Sequence, residues 1–239
     1  MNTVKFNKGK TLVVAHRGLS GIERENTSSA FVAAGNRTYY GIETDVHRTA
    51  DGRFVACHDS SLERIAGEKI IVENASLELL QSVVLLDKDG TKARCDLRLA
   101  TLEDHVNICK KYEKHCVLEL KNAFTSSEIR KIINVFKKLD YLDSVTFISF
   151  YYENLKKVRK ILPEQSVQFL FSSLDDKIIK NVIKDKFDVD ANARIVTKEL
   201  VETLHVAGLK VNCWTVDNKE TAEALVEMGV DFITTNILE

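Results

Sequence analysis

The sequence predicts an α/β fold: a single (β/α)₈ barrel, or TIM barrel, with a small insertion after its second strand. Short β-type runs alternate with helical patterns along the whole chain, and eight such units are typical of this barrel. The length of 239 residues is close to the roughly 250 residues of a typical barrel. We therefore expect one domain over residues 1–239, with the least regular stretch, at about 60–100, as the insertion.

The strands are predicted from short apolar runs that are rich in β-branched residues and bounded by turn residues. They are residues 11–16, 41–47, 115–120, 145–150, 166–171, 187–191, 209–216 and 230–235. After the second strand, Asp51-Gly52 has the chemistry of a tight turn. That turn predicts that residues 53–58 return as a further short strand.

The helices are predicted from apolar residues at helical spacing and from signals at the helix ends. In residues 127–139 four apolar side chains share one face, namely Ile129, Ile132, Ile133 and Phe136. Thr101 and Asp104 have the spacing of a capping box, which predicts a helix before the third strand. The remaining helices are predicted at residues 26–36, 77–83, 153–162, 175–186, 197–207 and 219–228.

The composition argues against several classes of protein. The net charge is −1 without a strongly basic stretch, so we expect no nucleic-acid partner. Five cysteines without a C-x-x-C pair argue against a disulfide framework or a zinc knuckle and favour a reducing compartment. No apolar run approaches the roughly 18 residues that span a bilayer, and a signal peptide is not evident. We expect a cytoplasmic protein without stable membrane insertion.

Carboxylates follow two of the predicted strands in positions that a plain core strand would not favour. Glu43 and Asp45 are two residues apart and share one face of the second strand, and Glu119 lies near the end of the third. In a barrel these faces converge at the carboxyl ends of the strands. Three carboxylates there would suit Mg²⁺ or Ca²⁺. The spacing equally allows salt bridges with Arg17 and Lys121, so both interpretations stand at this point.

Histidine and cationic side chains accompany the carboxylates. His16 ends the first strand, and His58 precedes Asp59, which could fix the tautomer of the imidazole. Two imidazoles suit a proton donor and a proton acceptor near neutral pH. Arg17 and Lys121 add positive charge that matches a phosphate. An acid, a base, a divalent cation and cationic contacts together indicate phosphoryl chemistry.

The motifs in this order resemble the signature of the glycerophosphodiester phosphodiesterase family. They are HRG, ENT, ETDV, T-x-DG and HD in residues 16–59, then LELK at 118–121, FISF at 147–150, CWTV at 213–216 and GVDFITTN at 229–236. The resemblance covers almost the whole chain. It implies the barrel, a small-molecule glycerophosphodiester substrate, and hydrolysis to an alcohol and glycerol 3-phosphate.

The resemblance also implies roles for individual residues. His16 and His58 would be the general acid and base. In the family the 2-hydroxyl of the glycerol attacks phosphorus, and water then opens the cyclic phosphate. Carboxylates would hold the cation, cationic side chains would contact the phosphate, and an indole would line the glycerol side. In that order these residues are Glu43, Asp45 and Glu119, then Arg17 and Lys121, then Trp214.

Several alternatives stay open. A lysophospholipase D-type enzyme would need an apolar approach to the barrel mouth, and no exposed apolar helix is evident in residues 60–100. A barrel that only binds glycerol phosphates would not need both histidines. Trp214 could be core packing, and Asn236 replaces an aspartate of the family motif. No helix follows the last predicted strand in this sequence, so N-terminal residues or a neighbouring chain, as in a homodimer, would cover it.

Overall fold

The barrel consists of eight parallel strands around a closed ring. The structure is a computed structural model that describes residues 2–239. Its strands are β1 (Leu12–Ala15), β2 (Gly41–Arg48), β3 (Phe54–Ala56), β4 (His115–Leu120), β5 (Val145–Ser149), β6 (Val167–Phe171), β7 (Asp188–Asn192), β8 (Val211–Trp214) and β9 (Phe232–Thr235). The order is β1-β9-β8-β7-β6-β5-β4-β2-β3, and a β1–β2 pairing closes the ring. Only β3 is antiparallel, on β2, and the predicted (β/α)₈ barrel is confirmed.

Helices cover the outside of the barrel. They are α1 (Ser28–Gly35), α2 (Glu63–Ala66), α3 (Leu77–Ser82), α4 (Leu102–Lys111), α5 (Ser126–Lys138), α6 (Tyr152–Ile161), α7 (Asp176–Asp185), α8 (Lys198–Val206) and α9 (Lys219–Met228). The capping box predicted at Thr101 and Asp104 starts α4. The apolar face predicted for α5 is buried. No helix within residues 2–239 is both long and apolar enough to cross a membrane.

The hydrophobic residues form three separate clusters. The largest fills the layer between the strands and the helices. A smaller one lies inside the barrel and consists of Val14, Val117, Ile148, Leu170 and Phe232. The third contains Val55, Cys57 and buried residues between Leu62 and Leu99, so the segment between β3 and α4 has apolar packing of its own. Complete burial of a valine, leucine, isoleucine or phenylalanine side chain stabilises a folded protein by about 1.5–3 kcal/mol.

The segment between β3 and α4 also contacts the loop that follows β1. Arg24, which stands where the family motif often has proline, donates hydrogen bonds to the carbonyl oxygens of Leu86 and Asp87. The segment contains α2 and α3, of which only α3 was expected from the sequence. The Arg24 contacts hold the segment beside the carboxyl ends of the strands.

The two terminal segments pack against each other. Val4 pairs in parallel with Leu238, and Leu238 is buried. The Glu239 side chain accepts hydrogen bonds from Thr3 at 2.6 Å and from Thr38 at 2.8 Å. The N-terminal residues therefore pack beside the segment that follows the last strand.

Two of the predicted strands were longer than the strands in the structure. The first strand was expected to reach His16 but β1 ends at Ala15, and the seventh was expected over 209–216 but β8 covers Val211–Trp214. Arg17 has a positive φ of 55°, which ends the extended backbone. At β1 the chain therefore leaves the sheet just before His16 and Arg17.

Candidate active site at the barrel mouth

Three carboxylates converge at the carboxyl ends of neighbouring strands. Glu43 and Asp45 point inward from β2, and Glu119 lies on β4 directly opposite Asp45 in the register. The oxygen atoms that these residues offer all lie within 4.8 Å of one another. All three side chains are buried, with 1–8% of each residue exposed. The spacing of two along β2 produced this convergence, as the sequence predicted.

Two cations neutralise part of the cluster. The Arg17 Nε lies 3.3 Å from Asp45 Oδ2, and its backbone N–H donates to Glu43 Oε2 at 2.8 Å. The Lys121 Nζ lies 2.9 Å from Glu119 Oε1 and 3.3 Å from Asp45 Oδ1. The salt bridges that the sequence allowed are therefore present in this structure, on the same carboxylates that could hold a cation.

Burial and the neighbouring charges shift the pKa of each carboxyl group differently. Burial raises the pKa of Glu43 well above its usual range, and the neighbouring carboxylates add to this effect. Burial and Asp45 also raise the pKa of Glu119, to about 7, against the effect of Lys121. Burial alone would raise the pKa of Asp45, but Arg17 and Lys121 outweigh it and hold that pKa below its usual range. The cluster has more carboxylates than its two cations neutralise.

The donor set fits a divalent cation. Asp45 Oδ1 is buried without a hydrogen-bond partner among residues 2–239; Lys121 approaches it at 3.3 Å but outside hydrogen-bonding geometry. Hard cations such as Mg²⁺ and Ca²⁺ are bound by carboxylate oxygens of this kind. Glu43, Asp45 and Glu119 could therefore hold one such ion, which would supply positive charge beside a phosphate.

His16 is enclosed by hydrogen-bonding neighbours. Its Nδ1 lies 2.8 Å from Asn236 Oδ1, and its carbonyl oxygen accepts from the Ser20 hydroxyl at 2.7 Å. Burial, with Arg17 alongside, lowers the pKa of His16 from 6.5 to about 4. His16 is therefore uncharged at neutral pH in this structure. An added Cβ at Gly18 (φ 77°) would lie 2.7 Å from the Ala30 backbone, so the tight turn after His16 requires glycine.

His58 has a different environment. Its Nδ1 lies 2.6 Å from Asp59 Oδ1, and its side chain is 35% exposed. Arg64 donates hydrogen bonds to the carboxylates of Asp59, at 2.6 Å, and Glu25, at 2.8 Å. Glu25 in turn accepts from Arg17 at 2.9 Å, so a continuous chain of ion pairs connects the His58 loop to the His16 loop. Arg64 was missed by the sequence analysis, because nothing in its local pattern distinguishes it from a surface arginine.

Two cavities meet at His16 and Arg17. The inner one is small, about 80 Å³, and its wall also includes the two glutamates Glu43 and Glu119 and the imidazole of His58. The outer groove is larger, about 600 Å³. It extends over the rim toward Lys88 and Asp217. Every residue proposed from the sequence as catalytic, and most of the proposed ligands, therefore border one connected space.

The far wall of the inner cavity contains Trp214 and an unexpected carboxyl group. The Trp214 indole donates from Nε1 to the Asp190 carbonyl at 3.1 Å and packs edge-on against Phe150. It borders the inner cavity and also packs against the apolar cluster inside the barrel. Asp190 also borders it, is 1% exposed, and leaves Oδ1 without a partner among residues 2–239. The sequence could have indicated Asp190, because it alternates along β7 with the residues that face the helices. The sequence pattern of that strand, however, is weak.

Two further polar residues lie near the site: Asn26 contacts the carboxylate cluster, and His47 lies outside both cavities. Asn26 donates from Nδ2 to Asp45 Oδ2 at 2.9 Å and accepts from the Thr44 hydroxyl at 2.8 Å. Asn26 therefore orients one carboxylate of the cluster. His47 faces Asn122 and Glu73 and does not border either cavity.

Comparisons with known proteins agree with this geometry. The sequence matches the glycerophosphoryl diester phosphodiesterase family over residues 16–239. It is 30% identical over 230 residues to a glycerophosphodiester phosphodiesterase of Caldanaerobacter subterraneus subsp. tengcongensis, covering 95% of this chain and 94% of that protein. A similarly named protein of Bacillus altitudinis is 27% identical over 95% of this chain and 94% of its own length.

Solved structures are similar over nearly the whole chain. A phosphodiesterase of Oleispira antarctica superposes with a TM-score of 0.87 at 22% identity, over 97% of this chain and 95% of that one. A glycerophosphodiester phosphodiesterase of Parabacteroides distasonis gives a TM-score of 0.79 at 26% identity, over 99% and 94%. The fold, the converging carboxylates and the match over residues 16–239 lead to one conclusion: the chain belongs to the glycerophosphoryl diester phosphodiesterase family.

Proposed function

We propose that this chain hydrolyses glycerophosphodiesters to an alcohol and glycerol 3-phosphate by cation-dependent, histidine-mediated catalysis. Family membership supports the reaction class. The observation that carries the proposal is the inner cavity bordered by His16, His58, Glu43 and Glu119, with the Asp45 carboxylate within 4.8 Å of both glutamates. The Oleispira antarctica phosphodiesterase is described in complex with the product sn-glycerol 3-phosphate, which is the product proposed here.

The proposed roles follow the positions of the side chains. One histidine takes the proton of the glycerol 2-hydroxyl as that oxygen attacks phosphorus, and the other gives a proton to the departing alcohol oxygen. The roles then reverse as water opens the cyclic phosphate. Arg17 and Lys121 contact the phosphate oxygens, and Trp214 lines the glycerol side. Glu43, Asp45 and Glu119 would hold a divalent cation, which would supply positive charge beside the phosphate.

The two cavities suggest how a diester lies in the site. Because His16 and Arg17 border both of them, a phosphate beside these residues has one ester group on each side. The small inner cavity suits the compact glycerol end, and the outer groove is open enough for alcohols of different size. This arrangement predicts tight recognition of glycerol phosphate and broad tolerance for the alcohol.

The proposed activity is tested by glycerol 3-phosphate release from glycerophosphocholine and glycerophosphoethanolamine. The assay is run with added Mg²⁺, with Ca²⁺ and with a chelator. We expect cation-dependent release from both substrates, and the more effective ion identifies the metal. Absence of release with every cation, from protein shown to be folded, would contradict the proposal and favour a barrel that binds glycerol phosphates without turnover.

A lysophospholipid substrate is the second candidate, and exposed apolar residues at the mouth favour it. Phe150 is 43% exposed, Tyr151 46% and Leu174 53%, and these residues follow β5 and β6 at their carboxyl ends. These loops lie outside residues 60–100, where the sequence shows no exposed apolar helix. Hydrolysis of lysophosphatidylcholine at a rate comparable to glycerophosphocholine, lost in a Phe150→Ser, Leu174→Ser variant, would establish this alternative.

A further inference from the structure

A row of three side chains runs from the solvent-exposed rim to His16. Asp217, in the loop after β8, accepts from the Asn236 backbone N–H at 2.7 Å with Oδ1 and from Asn236 Nδ2 at 2.6 Å with Oδ2. The Thr235 hydroxyl also donates to Asp217 Oδ1, at 3.0 Å. The Asn236 Oδ1 then lies 2.8 Å from His16 Nδ1. The row thus ends on one of the proposed catalytic imidazoles.

Asp217 determines which way the Asn236 amide points. If the amide were turned over, its oxygen would face the Asp217 carboxylate at a hydrogen-bonding distance, and two acceptors would repel each other. The orientation in the structure instead gives the carboxylate an N–H donor. Asn236 Oδ1 is consequently directed at His16 and at the Ser20 hydroxyl, 2.7 Å away.

We propose that Asn236, oriented by Asp217, is a positioning residue that holds His16 as the neutral tautomer protonated on Nδ1. An amide oxygen only accepts hydrogen bonds, so the ring nitrogen beside it must carry the proton. The other nitrogen, Nε2, is then left unprotonated toward the cavities that His16 borders. This inference rests on the proposed function, since it assigns His16 the proton-accepting role in the attack step and leaves His58 as the donor.

The contrast with His58 supports this division of roles. The Nδ1 of His58 lies 2.6 Å from the Asp59 carboxylate, so its partner is a charged group that accepts hydrogen bonds. His16 faces an uncharged amide. The charged groups around His16 are Arg17 beside it, Asp45 from β2 and Glu25 from the β1–α1 loop. In the family motif the position of Asn236 is an aspartate, so this chain has an uncharged partner where a carboxylate would stabilise the charged ring.

The first test is the tautomer itself. Nitrogen-15 chemical shifts of the His16 ring, measured at pH 7 with Mg²⁺ and with a chelator, report which nitrogen is protonated. We expect a neutral ring with its proton on Nδ1, and loss of that preference in Asn236→Ala. A ring protonated on Nε2, or the same tautomer in Asn236→Ala, would overturn the inference. This readout does not require turnover.

The second test exchanges the two side chains. Asn236→Asp with Asp217→Asn keeps the hydrogen bonds between the positions but places the carboxylate next to His16. We expect the acid limb of kcat/KM to move up by about one pH unit or more, because the carboxylate favours the protonated ring. Asn236→Ala should lower kcat by about 10- to 100-fold. Asn107→Asp, on the exposed side of α4, adds one negative charge at the surface; it is the control for a general charge effect and should match the wild type.

The outcomes separate this inference from the proposed function. Folded wild-type protein that releases no glycerol 3-phosphate would contradict the proposed function, while the tautomer measurement would still decide the role of Asn236. An active enzyme in which the exchanged pair has a wild-type pH profile would overturn the positioning role alone. If the exchanged pair does not fold, the nitrogen-15 comparison of wild type and Asn236→Ala remains decisive.

Discussion

The two ends of the barrel lumen differ sharply although the same strands build both. The lumen contains an apolar cluster of Val14, Val117, Ile148, Leu170 and Phe232, of which Ile148 and Leu170 also border the inner cavity. Toward the carboxyl ends it contains the carboxylates, the cations and the histidines. Val14 precedes His16 by two residues, and Val117 precedes Glu119 by two. Side chains two residues apart on a strand point the same way. An apolar packing residue and a polar site residue can therefore lie only two positions apart.

The comparison shows that the two ends contribute differently to stability. The apolar cluster is stabilised by its burial and needs no ligand. At the mouth, buried carboxylates lose their hydration, and Arg17 and Lys121 replace it only in part. The contribution of the mouth to the free energy of unfolding therefore depends on which ion or ligand binds there. Variants at the two ends should separate activity from stability.

The largest expected effect comes from removing a proton-transfer group. His16→Ala and His58→Ala should each lower kcat for glycerophosphocholine by about 10²- to 10⁴-fold, because each loses an acid or a base. Neither should change the melting temperature by much, since His16 and His58 border the cavities. The measurement is glycerol 3-phosphate release, together with thermal unfolding.

The apolar end provides the matched control. Val117→Ala deletes two buried methyl groups and should cost about 1.6 kcal/mol in the free energy of unfolding, with kcat close to wild type. Wild-type turnover in both histidine variants would show that the proton-transfer assignment is wrong. A large loss of kcat in Val117→Ala would show that the two ends are not independent.

The second effect concerns the cation. A ligand that binds only the folded state at 100 times its Kd adds about 2.7 kcal/mol to the free energy of unfolding. Saturating Mg²⁺ or Ca²⁺ should therefore raise the melting temperature of the wild type, and Glu43→Gln should abolish both this rise and the cation dependence of activity. Glu202→Gln, on the exposed face of α8, is the control and should respond to the cation as the wild type does. An unchanged response in Glu43→Gln would remove that residue from the ligand set.

The sequence predicted the mouth through strand parity and motif order. Glu43 and Asp45 share a face because the side-chain period of a strand is two, and Glu119 meets them because parallel strands end at one rim. These rules need only local pattern and fold class. For the same reason the barrel itself was predictable, whereas the bounds of β1 and β8 were not, since the backbone turns away at the site.

Long-range partners could not be predicted in this way. Arg64 reaches Glu25 across 39 positions, and Asn236 reaches His16 across 220. Such contacts depend on the path of the loops, which local periodicity does not contain. Asn236 was recognised as a departure from the family motif, but its contact with an imidazole became visible only in the structure.

The smallest expected effect concerns Asp190, the buried carboxyl group at the boundary between the two ends. Burial and the nearby Glu119 raise the pKa of Asp190 well above its usual range. As the pH rises above about 3.9, the ordinary aspartate value, the unfolded chain releases this proton while the folded protein retains it. The free energy of unfolding therefore falls with rising pH until the folded pKa is passed.

Asp190→Asn removes that penalty because the amide does not ionise. The variant should equal the wild type near pH 4 and be more stable at pH 8, by about 1.4 kcal/mol for each unit by which the folded pKa exceeds the ordinary value. Urea unfolding at both pH values, with a chelator present, measures the difference, and Asp143→Asn on the exposed surface is the control. An equal pH slope in variant and wild type would mean that Asp190 ionises freely. A gain in stability at pH 8 would mean that this carboxyl group destabilises the fold, as expected if it belongs to the mouth and not to the apolar end.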